Sequence, residues 1–518
     1  MKPHNRRLPQ ITGVALLLLW AMSIGLMATP LPEDNPHHDI EELYLNIADS
    51  LPIYRYFDDT IIAEGEIISG HVVVVKGDLI IRGTIRGDVL VIWGDVEITE
   101  TGIVEGDVTS VGGQIRLREQ AHVTGLILET DHPDATLGAP YLYAERETYP
   151  RLYGTLRIPQ KGTHLSLQYN RVDGAFLSLV VPRKWWYRRD RHWRGYGFIG
   201  YGFSGQFWRY QIGVSRWMLD PLRFRTEIEL EFHDLTDTQD EWRIDAGENS
   251  LAAFFLKYDW RDYFRRRGFS IALRQNITPY VLLQAGYYRD RYESIARNTN
   301  WAVFRGTQDF RPNPQLGEDA GTMGSVLLQV TVDTRDDWER PRRGWFTRVA
   351  YERASPELGG VFDFRRYLAE TRVYVPTGAG EQLRLRVRAG TAEGHLPWQK
   401  SFEIGGISTL RAFPFKAFGG NRMVLANVEY LLSPNIFEDF LGTGGLRFIL
   451  FADGGDAWQD KENQSFRESL SSFSLNRWKT DVGVGIADQD EDIRINIAKR
   501  TDRSANDILV TLRLQRAF

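Results

Sequence analysis

The groups that could do chemistry in this chain are its carboxylates, its guanidinium and ammonium groups, its hydroxyls and its 10 histidines; it contains no cysteine. That absence excludes thiolate zinc sites, a cysteine nucleophile, a disulfide framework and a lipid-modified N-terminal cysteine, and it suits an oxidising compartment. The histidines are scattered, and the adjacent pair His37 and His38 falls in a linker-like stretch. No Gly-x-Ser-x-Gly elbow, His-Glu-x-x-His helix or Gly-x-x-x-x-Gly-Lys-Ser/Thr loop occurs. Acyl transfer, metal-assisted hydrolysis and nucleotide chemistry therefore have no motif to place them, and nothing singles out a general acid and base; the expectation is a protein that is not an enzyme and that needs no cofactor and no metal. What remains is charge. The patches Arg188-Arg-Asp-Arg191 and Arg265-Arg-Arg267 read either as contacts for lipopolysaccharide phosphates, as pore lining, or as solvated loops and strand ends. With 63 basic and 68 acidic side chains spread along the chain and a net charge of −5, there is no footprint for nucleic acid.

The elements that carry these charges alternate. Leu383, Leu385, Val387 and Ala389 oppose Arg384, Arg386 and Arg388, and Leu222, Phe224, Ile228, Leu230 and Phe232 oppose Arg223, Arg225, Glu227, Glu229 and Glu231. A period of two with charges of both signs on one face asks for an apolar medium on one side and a wet interior on the other. A soluble sandwich would place its charges in bulk water on shorter strands. Sixteen such segments can be counted. The first eight are Leu165–Val181, Tyr196–Gly205, Phe207–Met218, Leu222–Leu235, Leu251–Asp259, Phe264–Asn276, Tyr280–Glu293 and Met323–Arg335; the second eight begin at Gly344, Phe364, Leu383, Met423, Leu446, Thr480, Asp492 and Ile508. Aromatics such as Trp185-Trp-Tyr187, Trp208, Trp217, Tyr287-Tyr288 and Trp345 cluster near segment ends, as an interfacial girdle or ordinary strand packing would have them. The fold class this predicts is all-β: a 16-stranded antiparallel transmembrane β-barrel over 151–518, preceded by a short β-solenoid.

The solenoid is read from glycine. Gly65, Gly83 and Gly102 form one register, Gly70, Gly87, Gly106 and Gly125 a second, and Gly77, Gly94 and Gly113 a third, all on a period near 18 residues. Short β-branched runs such as Val72-Val-Val-Val75 and Val89-Leu-Val-Ile92 sit between them. Strands separated by tight corners, stacking coil on coil, explain why three registers keep step; a plain meander is the alternative. The boundaries predicted are a β-solenoid over 60–130 and a connector over 131–150. Upstream, the basic Met1–Arg7 stretch, the apolar run Ile11–Ala28 and the polar exit read as a signal peptide over 1–28 with a linker over 29–59, the alternative being an uncleaved anchor.

Two resemblances follow. The steps Gly77-Asp78, Gly87-Asp88, Gly94-Asp95 and Gly106-Asp107 resemble bactofilin-type polymer-forming domains, which implies a structural module without catalytic groups. Four later stretches, in order, resemble the BamA/TamA-type barrels of the bacterial surface antigen superfamily. Asp333-Thr-Arg-Asp336 with Pro341-Arg-Arg-Gly344 is similar to that family's turn between the eighth and ninth strands. Gly405-Gly406-Ile-Ser-Thr-Leu410-Arg411-Ala412-Phe413 resembles its lumenal sixth loop, with Leu410 and Ala412 where the family has valine and glycine. Asn427-Val-Glu429-Tyr resembles the twelfth strand and Phe451-Ala-Asp453-Gly454 the thirteenth. The strand count independently puts the Leu410 loop after the eleventh strand.

The resemblance implies that Arg411 folds into the lumen and pairs with Glu429 and Asp453, holding the loop tip (Gly405, Gly406, Leu410, Phe413) to the wall; the alternative is a solvated Arg411 on an external loop. It implies that the alternating C-terminal strand with Leu512, Leu514 and the terminal Phe518 is an assembly signal. It implies an outer-membrane location with lipid and lipopolysaccharide around the barrel, the solenoid in the periplasm, and client outer-membrane polypeptides or periplasmic proteins as partners. Function is expected to be insertion or translocation of polypeptides, using a weak seam between first and last strands as a template for an incoming strand. Residues 36–150 show no amphipathic helical pair like the family's periplasmic client-accepting domains, which argues against a role as the cell's main barrel-insertion factor. The alternatives are a passive channel or structural barrel with the solenoid as plug or spacer, and a barrel enzyme acting on lipid.

Overall fold

The computed structural model describes residues 51–56, 59–75, 77–92, 94–111, 113–130, 164–181, 193–218, 226–278, 280–304, 306–336, 340–378, 380–432, 446–462, 475–502 and 508–514. The signal peptide, the connector and Trp185-Trp-Tyr187 lie outside these residues, as do Leu222 to Arg225.

Three parallel sheets form the N-terminal unit, one with five strands and two with four. Each coil contributes one short strand to each sheet: His71–Val75, Leu79–Ile81 and Thr84–Ile85 make one, and Val89–Ile92, Val96–Ile98 and Ile103–Val104 the next. The register pairs Val72 with Val89, Val89 with Val108 and Val108 with Ile127, so the glycine spacing is the coil length. Val72, Val74, Leu79, Ile81, Val89, Val91 and Ile98 fill a continuous core. The Gly-Asp steps are corners. A Cβ on Gly94 would lie 1.8 Å from the carbonyl oxygen of Gly77, so nothing larger than glycine stacks there. The following aspartate accepts the corner amide of the next coil: Asp95 N donates to Asp78 Oδ1 (3.0 Å), Gln114 N to Asp95 Oδ1 (3.0 Å), and Leu126 N to Asp107 Oδ1 (2.7 Å). Each corner amide that would be orphaned thus has a partner. The first strand of this unit, Ile53–Tyr56, pairs with His71–Val75 and falls inside the stretch read as linker.

The rest of the chain makes one 16-stranded antiparallel sheet in sequence order. Its strands are β1 (His164–Asn170), β2 (Gly174–Val181), β3 (Trp193–Gly202), β4 (Phe207–Trp217), β5 (Thr226–Thr238), β6 (Tyr263–Thr278), β7 (Val281–Glu293) and β8 (Gly321–Asp333). They continue as β9 (Gly344–Ala354), β10 (Phe364–Gly378), β11 (Glu381–Gly394), β12 (Arg422–Leu431), β13 (Leu446–Trp458), β14 (Lys479–Asp488), β15 (Arg494–Arg500) and β16 (Ile508–Arg513). Leu165, Leu167, Leu177, Leu179, Ile271, Leu273, Val482, Val484, Ile495, Ile497, Val510 and Leu512 are exposed, whereas the alternating Ser166, Gln168, Ser178, Ser270, Arg274, Asp481, Arg494 and Asn496 are buried. Apolar outside and polar inside is the pattern of a strand wall in lipid. No helix among the described residues is long and apolar enough to cross a membrane.

Two details of the sequence reading are corrected, and they cancel in the count. Leu165–Val181 is a hairpin of two strands, not one: Asn170 Oδ1 accepts the amides of Val172 and Asp173 (2.8 Å each), and Gly174 takes a positive φ of 68°. Leu251–Asp259 is not a strand. It belongs to helix α1 (Ala246–Leu256), capped by Asp245, whose side chain accepts the amide of Gly247 at 2.7 Å, and stopped by Lys257 in a left-handed conformation. Leu251-Ala-Ala-Phe-Phe-Leu256 has neither strict alternation nor β-branching, and the N-cap outweighs its aromatic content.

Candidate functional site

Between β11 and β12 the chain leaves the wall and returns as a small hairpin, Phe402–Ile404 with Phe418–Gly420. Its tip is bent by positive φ at Gly405 (119°), Gly406 (80°) and Ser408 (59°). A Cβ on Gly405 would come within 2.5 Å of the Pro414 oxygen, so the crossing of the two arms requires glycine. Ala412 needs no such conformation, which is why alanine serves there. Leu410 and Phe413 are buried against Leu368, Ala392, Phe402, Met423 and Leu425, anchoring the tip to wall strands.

That anchoring aims Arg411 at β12 and β13. Its Nε and Nη2 donate to Asp453 (2.7 and 2.8 Å), and Nη1 donates to Glu429 (2.6 Å). Its guanidinium lies 3.7 Å from the Phe451 ring centroid. Arg411, Glu429 and Asp453 are each 3% exposed or less, so the charges are paired within a desolvated interior. Around them the wall closes a network. Arg494 of β15 grips both oxygens of Glu429 (3.0 and 2.7 Å), Asn427 bridges Asp453 Oδ1 (2.7 Å) to the carbonyl of Thr409 (2.8 Å), and Ala412 N donates to Asp481 (3.1 Å). Further along the loop, Lys416 meets Asp240, Asp262 and Glu403 at 2.9, 2.8 and 2.8 Å. Burial works against its charge, yet these carboxylates hold its pKa above the ordinary lysine value. At the turn after β8, Arg335 forks onto Asp333 (2.9 and 2.7 Å), and Gly344 takes a φ of 102°.

Sequence reasoning missed Arg494 and Asn427. Both were legible as inward positions of alternating strands, since Arg494, Asn496 and Ala498 share the buried face of β15. Of the C-terminal residues, Leu512 faces outward, Leu514 is half-buried, and Phe518 lies outside the described residues.

The second feature of the site is the seam. β1 and β16 end the sheet, and among the described residues no ladder joins them. Among the described residues no group of three His, Asp or Glu is placed to hold a metal ion. The arrangement clamps a loop and, among the described residues, leaves β1 and β16 unladdered to each other; the clustered charges pair with one another.

A family model described as the Omp85 superfamily domain matches residues 204–498. The chain is 25% identical over 261 residues to the outer membrane protein assembly factor BamA of Nitratidesulfovibrio vulgaris, covering 46% of this chain and 31% of that protein. The chain thus spans about a third of the length of this curated relative. Among solved structures it is similar to BamA of Haemophilus ducreyi lacking POTRA domains 1–3, at 11% identity and a TM-score of 0.42, over 67% of each chain. It is also similar to CdiB of Acinetobacter baumannii, at 12% identity and a TM-score of 0.37, over 68% of this chain and 58% of that one.

Proposed function

The chain belongs to the Omp85 superfamily and is an outer-membrane barrel, and from that premise we propose that it inserts or translocates polypeptides at the bacterial outer membrane. One observation carries the reading: the sheet ends at two strands, β1 and β16, that are not laddered to each other among the described residues. A strand edge without a laddered neighbour offers amides and carbonyls in register for an incoming β-strand, and only main-chain groups are needed to recognise it. The chemistry is exchange of hydrogen bonds, with no covalent bond broken and no catalytic group or cofactor assigned. The Arg411 network then has a positioning role. By holding the loop to β12, β13 and β15 it keeps that side of the wall stiff while the seam yields.

The partners in this reading are client outer-membrane or secreted polypeptides, with lipid and lipopolysaccharide bathing the exposed aliphatic faces. The solenoid, bactofilin-like in its Gly-Asp corners, stands on the periplasmic side as a spacer or contact, reached by way of a signal peptide. A passive channel is the second reading. It is disfavoured by the loop tip packed inside the wall, where Leu410 and Phe413 are fully buried.

Depletion followed by quantitative comparison of the whole outer-membrane proteome tests the proposal. The expected result is loss of a defined set of barrels or secreted proteins. An unchanged proteome with reduced solute uptake would favour the channel.

A further inference from the structure

Helix α1 lies in the connection between β5 and β6, far from either end of the sheet in sequence, yet it touches both ends. On β1, Tyr169 pairs with Ala175 of β2, and its own amide and carbonyl point the other way, toward the free edge. Both are taken by one side chain. Tyr169 N donates to Ser250 Oγ, and the Ser250 hydroxyl donates to Tyr169 O at 3.2 Å. The Phe254 ring, one turn further along α1, packs edge-on to Tyr169 at 5.4 Å. On β16, Arg513 Nε and Nη2 donate to the two oxygens of Glu248 (2.8 and 3.1 Å), and Leu514 N donates to Glu248 Oε1 at 3.0 Å. Glu248 and Ser250 are two residues apart. Arg513 also donates to Ser408 Oγ (2.8 Å), which ties the contact to the loop that carries Arg411.

We propose that α1 is a latch across the seam: Ser250 stands in for a partner strand at Tyr169, while Glu248 holds the end of β16, so that an extended client strand must displace the helix to dock. The inference rests on the seam being the client-docking edge. The two halves of the latch differ in strength. A docking strand offers Tyr169 a replacement amide and carbonyl, so exchange at Ser250 is close to balanced. The Glu248–Arg513 pair is charge-assisted, bidentate and buried on both sides, so its loss is not repaid by the client's backbone. Glu248 therefore sets the resistance to opening, and Ser250 sets where the first hydrogen bonds are exchanged.

Because the chain has no cysteine, two introduced thiols report alone. Spin labels at Leu167→Cys on β1 and Leu512→Cys on β16, both outward positions, give the seam separation by pulsed dipolar spectroscopy on the full chain in bilayers of outer-membrane lipid. Glu248→Gln should raise the ratio of long to short separations on the order of tenfold, the change expected when one charge-assisted contact is lost. Ser250→Ala should raise it less, and the swap Glu248→Arg with Arg513→Glu should return it toward the wild-type value. Heat-modifiable gel mobility confirms that each variant is a folded barrel, and Ser250→Ala carries the test if Glu248→Gln does not fold. An unchanged separation in folded Glu248→Gln, or in Ser250→Ala where it is the surviving variant, overturns the latch. Insertion of a model barrel protein is measured on the same samples. A widened seam without faster insertion supports the latch and overturns the insertion reading.

Discussion

The solenoid hides its aliphatic residues and the barrel displays them. In the first unit Val74, Leu79 and Val91 are fully buried and charged pairs such as Arg118 with Glu97 stand in solvent; in the second, Leu167 and Val484 face outward and Arg411, Glu429 and Arg494 are sealed inside. Both are built from β-strands hydrogen-bonded to their neighbours, so the difference lies in the medium each was made for. One consequence is that the same arginine–carboxylate chemistry carries different weight in the two regions. Exposed pairs on the solenoid are screened and nearly neutral, whereas the barrel's buried pairs cannot be broken one partner at a time without stranding a charge.

The largest effect expected from this contrast is at Arg411. Arg411→Ala leaves Asp453 without its forked partner and should lower barrel stability by about 3–5 kcal/mol, read as a drop in the temperature of heat-modifiable mobility. The matching change Arg118→Ala on the solenoid, where the side chain is 59% exposed, should leave its unfolding transition where it was. Next comes an inversion of polarity. Val484→Arg on the outer face of β14 should cost about 2–4 kcal/mol near the bilayer midplane, while Ile61→Arg on the solenoid surface should stay within about 0.5 kcal/mol. Gly94→Ala reverses the asymmetry: its Cβ meets the Gly77 carbonyl, and the solenoid should lose about 1–3 kcal/mol with the barrel's heat-modifiable mobility unchanged.

The smallest effect is in pH. His395 in the β11–β12 loop donates to or accepts from Glu462 and Asp319 (2.9 Å each), and these bonds raise its pKa above the ordinary 6.5. Because the folded value is raised, the contact stabilises fully below the unfolded pKa and is lost as pH rises through the folded one. Limited proteolysis of the segment around Asp319 should therefore quicken on going from acid to alkaline conditions, relative to His395→Ala at each pH.

Much of this was legible in the sequence wherever a period carries the information. Alternation gave the inner and outer faces of β11, and the three glycine registers gave the coil length, because in both cases one local geometry repeats. Legibility failed where a single local signal outweighed the pattern. Asp245 as N-cap turned an aromatic run into α1, and Asn170 with Gly174 folded one apparent strand into a hairpin. The aspartates of the Gly-Asp corners were visible, but their role as acceptors for the next coil depends on stacking that no single coil displays. The network around Arg411 was partly legible through resemblance at Glu429 and Asp453; Arg494 needed the fold to bring β15 beside β12's carboxylate. The Glu248–Arg513 contact spans 265 residues and breaks no local rule, so nothing in the chain announces it.

Insertion through the seam requires the unladdered edge of β1 to receive another chain. Photo-crosslinkers placed at Leu165 and Leu167, with Ile271 on the outer face of β6 as a control five strands from the seam, can be activated while a barrel client is being inserted. Docking at the seam gives adducts between the client's strands and the β1 positions and none at Ile271; equal labelling at all three positions, or none at any during active insertion, would rule it out.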